Sequence, residues 1–219
     1  MTKALQNNGI EANRKRVARI MRDLGLVGRA RRVNWHNPRN HAFFRKTDNK
    51  RLELPLPKEK NKIWVGDVTY IRVGKKWQYL AVVMDLYSRR IIGWALDDHR
   101  RVDLTEQALL KAIQNRKPER GLIFHSDRGI EYASWRYHDL LFKHGMIPSM
   151  NRPGHCQDNA HMESFFHSLK AELIRGEKIK TVIELRRMVT NYIHHFYNSV
   201  RLHSSIGYVS PMHYERLAA

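Results

Sequence analysis

"KIWVGDVTYIRV" (62–73) is the stretch on which the fold turns. Its β-branched and aromatic residues are those of a strand. Asp67 sits inside it, flanked by Val65, Gly66, Val68 and Tyr70. Aspartate is disfavoured in strands, and a carboxylate buried without a partner costs several kcal/mol. A strand that keeps an acid there must supply something for it to hold.

Outward from this strand the pattern continues. "VGKK" (73–76) turns the chain, and "WQYLAVVMDLYS" (77–88) and "RRIIGWALDD" (89–98) read as two further antiparallel strands. "DLTEQALLKAIQNR" (103–116) is helical, with Leu104, Ala108, Leu109 and Ala112 on one face and Pro118 beyond its end. "GLIFHS" (121–126) is apolar almost throughout, as a central strand should be, and runs into Asp127. A helix over 134–145 is capped by Ser134, and "MIPSM" (146–150) is a short fifth strand. After the loop 151–159, "AHMESFFHSLKAELI" (160–174) is a helix with Glu163 one turn in. A capping box of Thr181 and Glu184 opens the helix 181–198, and a short helix follows Pro211. The order predicts an α/β fold, a mixed five-stranded sheet flanked by helices.

The 219 residues carry a net charge of +19, with a pI near 10.3. So large an excess points to a polyanionic partner, nucleic acid ahead of a membrane surface. No apolar run is long enough to span a bilayer and no signal peptide is visible, so a cytoplasmic protein is expected. The single cysteine, Cys156, excludes an internal disulfide framework and a cysteine-based zinc finger. Residues 1–60 hold 16 Lys and Arg against 5 acids; residues 61–219 hold 24 against 16. Residues 1–60 therefore read as a basic arm and 61–219 as a catalytic core with a helical tail. Within the arm, "NRKRVARIMRDLGLVG" (13–28) is a helix with Val17, Ile20, Met21 and Leu24 on one face and Arg14, Lys15 and Arg19 on the other. Those bases are candidate DNA contacts from a partial helix-turn-helix. Residues 28–62, with three prolines, read as a basic linker whose Trp35, Phe43 and Phe44 dock on the core.

Three acids stand out: Asp67 in a strand, Asp127 at a strand end, Glu163 on a helix facing them. Taken singly, each has an ordinary reading, as a paired strand acid, an Asx-turn residue and a helix-face charge. Taken together, three converging carboxylates repel unless cations sit among them, and hard divalent ions with oxygen ligands, Mg²⁺ or Mn²⁺, answer that need. Two such ions about 4 Å apart suit phosphodiester chemistry.

The blocks "WVGDVTYI", "YLAVVMDLYSRRIIGWAL", "HSDRGIEYAS", "SMNRPGHCQDNAHMESFFHSLKAEL" and "YNSVRLHSSIGYVSPMHYE" resemble, in that order, the DDE transposases of bacterial insertion sequences. The group is that of insertion sequence three, second reading frame, with a core similar to retroviral integrases. The resemblance runs from about residue 60 to 216. It implies a ribonuclease-H-like fold, strand cleavage at element ends and transfer of the 3′ hydroxyl to target DNA. It assigns Asp67, Asp127 and Glu163 as metal ligands for two divalent ions, the last two separated by the family's 35 residues. It also places a basic residue, Lys170, seven positions after Glu163, on the same helix face and within reach of DNA. Asn159 at the helix start is a second candidate phosphate contact, and Asp158 is expected to cap the helix. The resemblance further implies a homo-oligomer on DNA and, because the arm is short, a partner supplied by a first reading frame. Beyond an N-terminal region shorter than the family's fuller helix-turn-helix, two departures are visible. Ile130-Glu131 stands where Ser-Gln is usual, bringing an extra acid near the metals, and His155 stands where Asn is common.

Other residues were weighed. Without cysteine partners the thirteen histidines make no structural zinc site. Asp85 is expected to pair with Arg89 or Arg90, and Cys156 is a bystander. Arg201 and His203 in "RLHSSIGYVSP" (201–211) either line DNA or belong to a tail packed on the core. Two rival functions remain: a hydrolytic ribonuclease-H-type nuclease, and a truncated, inactive DNA-binding relic.

Overall fold

The computed structural model describes residues 1–26, 47–52 and 54–217. Most of the linker 28–62, including Trp35, Phe43 and Phe44, lies outside the described residues.

Five strands form one sheet. β1 (Ile63–Val73), β2 (Lys76–Asp85) and β3 (Ile91–Asp97) make an antiparallel meander, and β4 (Ile123–Ser126) and β5 (Ile147–Met150) add in parallel on the far side of β1. The order is β3-β2-β1-β4-β5, so β1 is central. Two layers of helices cover it. On one face Trp64, Ala81, Val83 and Phe124 pack against α3 (Val102–Arg116) and α4 (Trp135–Lys143). On the other Ile63, Val65, Ile71 and Val82 pack against α5 (Ala160–Leu169) and α6 (Val182–Asn191). Alternation along β1 puts Asp67 on the α5 side, the face of Ile63 and Val65. Burial of both faces explains the unbroken apolar reading of β4.

Both long C-terminal helices end in a wider, π-helical turn, Lys170–Ile174 after α5 and Tyr192–Tyr197 after α6. Half of the capping box holds: Thr181 accepts from Glu184 N at 3.1 Å, while Glu184 accepts from the N–H of Lys180, one residue before the cap, at 2.9 Å. The tail is packed on the core. α7 (Pro211–Leu217) sends Glu215 to Ser88 and Arg90, each at 2.7 Å, and to Arg116. That removes Arg90 from Asp85, contrary to expectation. Asp85 instead accepts from the backbone N–H groups of Asn61 (2.8 Å) and Tyr87 (3.0 Å), with Arg116 at 3.6 Å. Its burial pushes the carboxyl up to about 6.

The arm holds two helices, not one: α1 (Thr2–Asn7) and α2 (Arg14–Asp23). α1 escaped the sequence reading because it is under two turns long and has no side-chain cap. Asn13 caps α2, accepting from Arg16 N at 2.8 Å, and Arg14, Lys15 and Arg19 are exposed around buried Val17. Among the described residues no helix is long and apolar enough to cross a membrane.

Candidate active site

The parallel register of β1 and β4 builds the site. Ile63 stands beside Ile123, and so on to Gly66 beside Ser126. The next residue along each strand is an aspartate, so Asp67, in the middle of β1, and Asp127, just past the end of β4, stand about 5 Å apart in backbone spacing. Each residue keeps some exposed surface but buries its carboxylate, which is held by one local backbone donor: Asp67 by Val68 N at 2.7 Å, Asp127 by Gly129 N at 2.9 Å. Asp127 is thus the Asx-turn residue as well as a member of the pair.

Electrostatics mark the pair. Burial, and then the charge of Asp127, hold Asp67 well above the usual carboxylate range. Burial and the charge of Glu131 push Asp127 up to about 6. Glu131, the family departure, is therefore a third acid at the pair. Its side chain is buried and bound by Arg100, Nε to Oε1 at 2.7 Å and Nη2 to Oε1 at 2.6 Å. Burial lowers the Arg100 guanidinium, but Glu131, Asp127 and Asp67 outweigh it and leave its pKa raised. Nothing in "DDHRRVD" marked Arg100 in the sequence. Its role follows only from where the chain turns after β3.

Two glycines admit this crowding. A Cβ on Gly129 would lie 2.5 Å from Glu131 Oε1 and 3.0 Å from Asp127 Oδ1. A Cβ on Gly66 would meet the Phe124 ring at 2.6 Å.

The helix-borne members are placed differently. Glu163 lies in the first turn of α5, half-buried, with the Cys156 thiol beside it. Burial pushes its carboxyl up. Among the described residues, the carboxylate oxygens of Asp67, Asp127 and Glu163 do not all lie within 4.8 Å of one another. Asn159, expected at phosphate, is 2 % exposed and donates Nδ2 to Gly66 O at 3.1 Å. It is a strut tying the start of α5 to the residue before Asp67. Asp158 does not cap α5 either. It accepts from Asn49 (2.8 Å) and from Arg152 N (3.0 Å) and Nη2 (3.0 Å), and despite burial these donors lower its carboxyl to about 2. Lys170 lies at the start of the π-helical turn, with Nζ 4.7 Å from the centre of the Tyr70 ring.

The donors suit a hard divalent cation. They are carboxylate oxygens, two of them side by side, and the nearby Arg100 is committed to Glu131. Two buried like charges with so little compensation form a site that a dication would relieve.

A sheet of this order, with one acid inside its central strand and a second at the end of the neighbouring parallel strand, defines an integrase-type catalytic core of the ribonuclease-H-like class. The integrase core domain matches residues 57–156 and, in a second form, 144–211, and an HTH-like domain matches 1–33. The chain is 37% identical over 219 residues to the transposase for insertion sequence element IS904 of Lactococcus lactis, covering 99% of this chain and 85% of that protein. It is 40% identical over 217 residues to transposase InsF for insertion sequence IS3A of Escherichia coli, covering 98% and 75%. The HTLV-2 integrase catalytic core in complex with magnesium superposes with a TM-score of 0.52 at 16% identity, over 72% of this chain and 98% of that one. A chain of the simian T-cell lymphotropic virus intasome in complex with PP2A regulatory subunit B56 gamma gives 0.62 at 16% identity, over 98% and 70%. The chain belongs to the transposases of bacterial insertion sequences of the IS3 family, which carry an integrase core.

Proposed function

We propose that this chain is the catalytic subunit of a transposase, carrying out metal-dependent cleavage of DNA at element ends and transfer of the 3′ end to a target. The observation that carries the reading is the register that sets Asp67, inside central strand β1, beside Asp127 at the end of β4, within a chain of charge +19. Asp67, Asp127 and Glu163 would hold two Mg²⁺ or Mn²⁺ ions. When bound, these supply Lewis-acid stabilisation of the oxygens that gain charge at the phosphodiester. The chain's own residues do the rest. Asn159 sets the height of α5 over β1, and Lys170 neutralises backbone phosphate beside the acids. Arg14, Lys15 and Arg19 hold flanking DNA by charge.

The division is a basic arm, 1–60, and a catalytic core, 61–219. Two element ends processed together call for a homo-oligomer on DNA, and a first-reading-frame product is a further partner for end recognition. The setting is the bacterial cytoplasm, at the nucleoid when DNA is bound.

The test uses pre-cleaved element ends and a supercoiled target, with Mn²⁺ or with EDTA. Joined product in Mn²⁺ and none in EDTA is expected. DNA binding with no joining in either condition would favour the inactive relic, and cleavage of RNA–DNA hybrids without joining would favour the hydrolytic nuclease.

A further inference from the structure

A second polar pocket opens on the neighbouring face of α5. It encloses about 70 Å³ and is lined by Arg89, His161, Ser164, Ser168, Arg201 and His203. Two arginines, two imidazoles and three serine hydroxyls, the third from Ser205, converge there beside Met84, Phe165 and Tyr197, without a carboxylate in the lining. Arg201 is already matched, donating Nε to Glu172 at 3.0 Å and Nη2 to Ser168 at 3.1 Å.

Arg89 is not matched. Its residue is 8 % exposed, and its buried Nε and Nη1 have no hydrogen-bond partner. Among the described residues no acid forms an ion pair with it. Asp85, whose carbonyl accepts its backbone N–H at 2.9 Å, turns its carboxylate to Asn61 and Tyr87. His203 Nε2 is also buried without a partner. Arg51 adds like charge from the side, with Nη2 at 3.1 Å from His161 Nε2.

Arg89 bears a second cost. Its φ is +65°, a left-handed conformation that a non-glycine residue adopts at a penalty. A buried, uncompensated cation on a strained backbone is unfavourable unless something binds it. Water filling the cavity would satisfy the N–H groups but leave the charge. The volume has room for one tetrahedral oxyanion.

We infer that this pocket is an oxyanion site, built to take one phosphate group, and that its source is a backbone phosphate of the bound DNA strand. The choice of DNA rests on the transposase reading, because the pocket and Glu163 share α5. Arg89 donates from Nε and Nη1, Ser164 and Ser168 donate hydroxyls, and the phosphate neutralises the guanidinium.

The experiment uses the full chain. Melting is followed against inorganic phosphate at constant ionic strength, balanced with chloride, for wild type, Arg89→Asn and Arg89→Gly. Wild type should gain about 3 °C, saturably. Both variants should melt above wild type without phosphate, because the left-handed strain and the lone charge are gone, and should lose the saturable gain. Equal phosphate responses in wild type and variants would overturn the site, as would variants that melt lower in its absence. DNA duplexes carrying one uncharged methylphosphonate, moved along the strand, identify the source. One position should cost wild type about tenfold in affinity and cost Arg89→Asn nothing further. A phosphate response with no such position would overturn the DNA source and leave a small-anion site. Strand transfer without any phosphate response would sink the pocket alone; the converse would sink the transposase reading alone.

Discussion

Asp67 and Asp127 are carried by strands, and Glu163 by a helix; the difference governs how firmly each is placed. The strand pair follows from register. Once Gly66 lies beside Ser126, the next residues must be neighbours, whatever else is bound. Glu163 has no such constraint. Its carboxylate neighbours the Cys156 thiol, in a loop whose Asp158 is held separately by Arg152 and Asn49. A sheet fixes relative positions through a continuous ladder. A helix fixes only its own axis, and its side chains reach a site through loops and struts.

The largest effect should come from removing members of the pair. Asp67→Asn or Asp127→Asn should lower strand transfer at least ~10³-fold, as loss of groups central to catalysis does, with DNA affinity retained. Neither should destabilise the fold, because each removes one of two crowded buried charges. Glu163→Gln should be as damaging to turnover yet differ in ion binding. Mn²⁺ titration calorimetry should show affinity lost in the aspartate variants and only weakened in Glu163→Gln. Equal loss in all three would erase the distinction between sheet-held and helix-held acids.

Gly129→Ala sharpens the strand side. A methyl group 2.5 Å from Glu131 Oε1 must push Glu131 or Asp127 aside. We expect about 1–3 kcal/mol of lost stability by urea denaturation, in the range of overpacked cores, and turnover reduced ~100-fold. An unperturbed variant would mean the pair is looser than the register implies.

The smallest effect tests the helix side. Asn159→Ala deletes the bond from α5 to Gly66 O and should cost about 1 kcal/mol. Strand transfer should fall ~10-fold through kcat while DNA affinity holds. A drop in affinity instead, with a shallower salt dependence, would return Asn159 to the phosphate contact expected from its place at the helix start.

Much of the fold was legible in the sequence, because β1, β4 and the helix faces carry their period openly. Trp64 and Val65 belong to opposite faces as alternation requires, and Ser134 and Thr181 cap where capping chemistry puts them. The aspartate pair was legible because an acid in an apolar strand is locally inconsistent, and such conflicts gather at functional sites. What escaped depends on long-range contacts. Arg100 reaches Glu131 across 31 residues, Asn159 reaches Gly66 across 93, and Arg90 prefers Glu215 across 125 to the nearby Asp85. Local pattern carries no record of such choices. Arg89 is the sharpest case: its residue type gives no sign of a left-handed backbone or a buried charge.

The clamp made by Glu215 has a consequence during synthesis. Arg90 and Arg116 share one carboxylate that lies nearly a hundred residues or more further along the chain. While the ribosome is still making that distance, the β2–β3 hairpin and α3 exist with Arg90 unanswered and Arg116 facing only Asp85, at 3.6 Å. Closure of the catalytic core therefore waits for the last helix to emerge. A premature stop before codon 215 should yield a nascent product that proteases clear instead of a merely shortened enzyme.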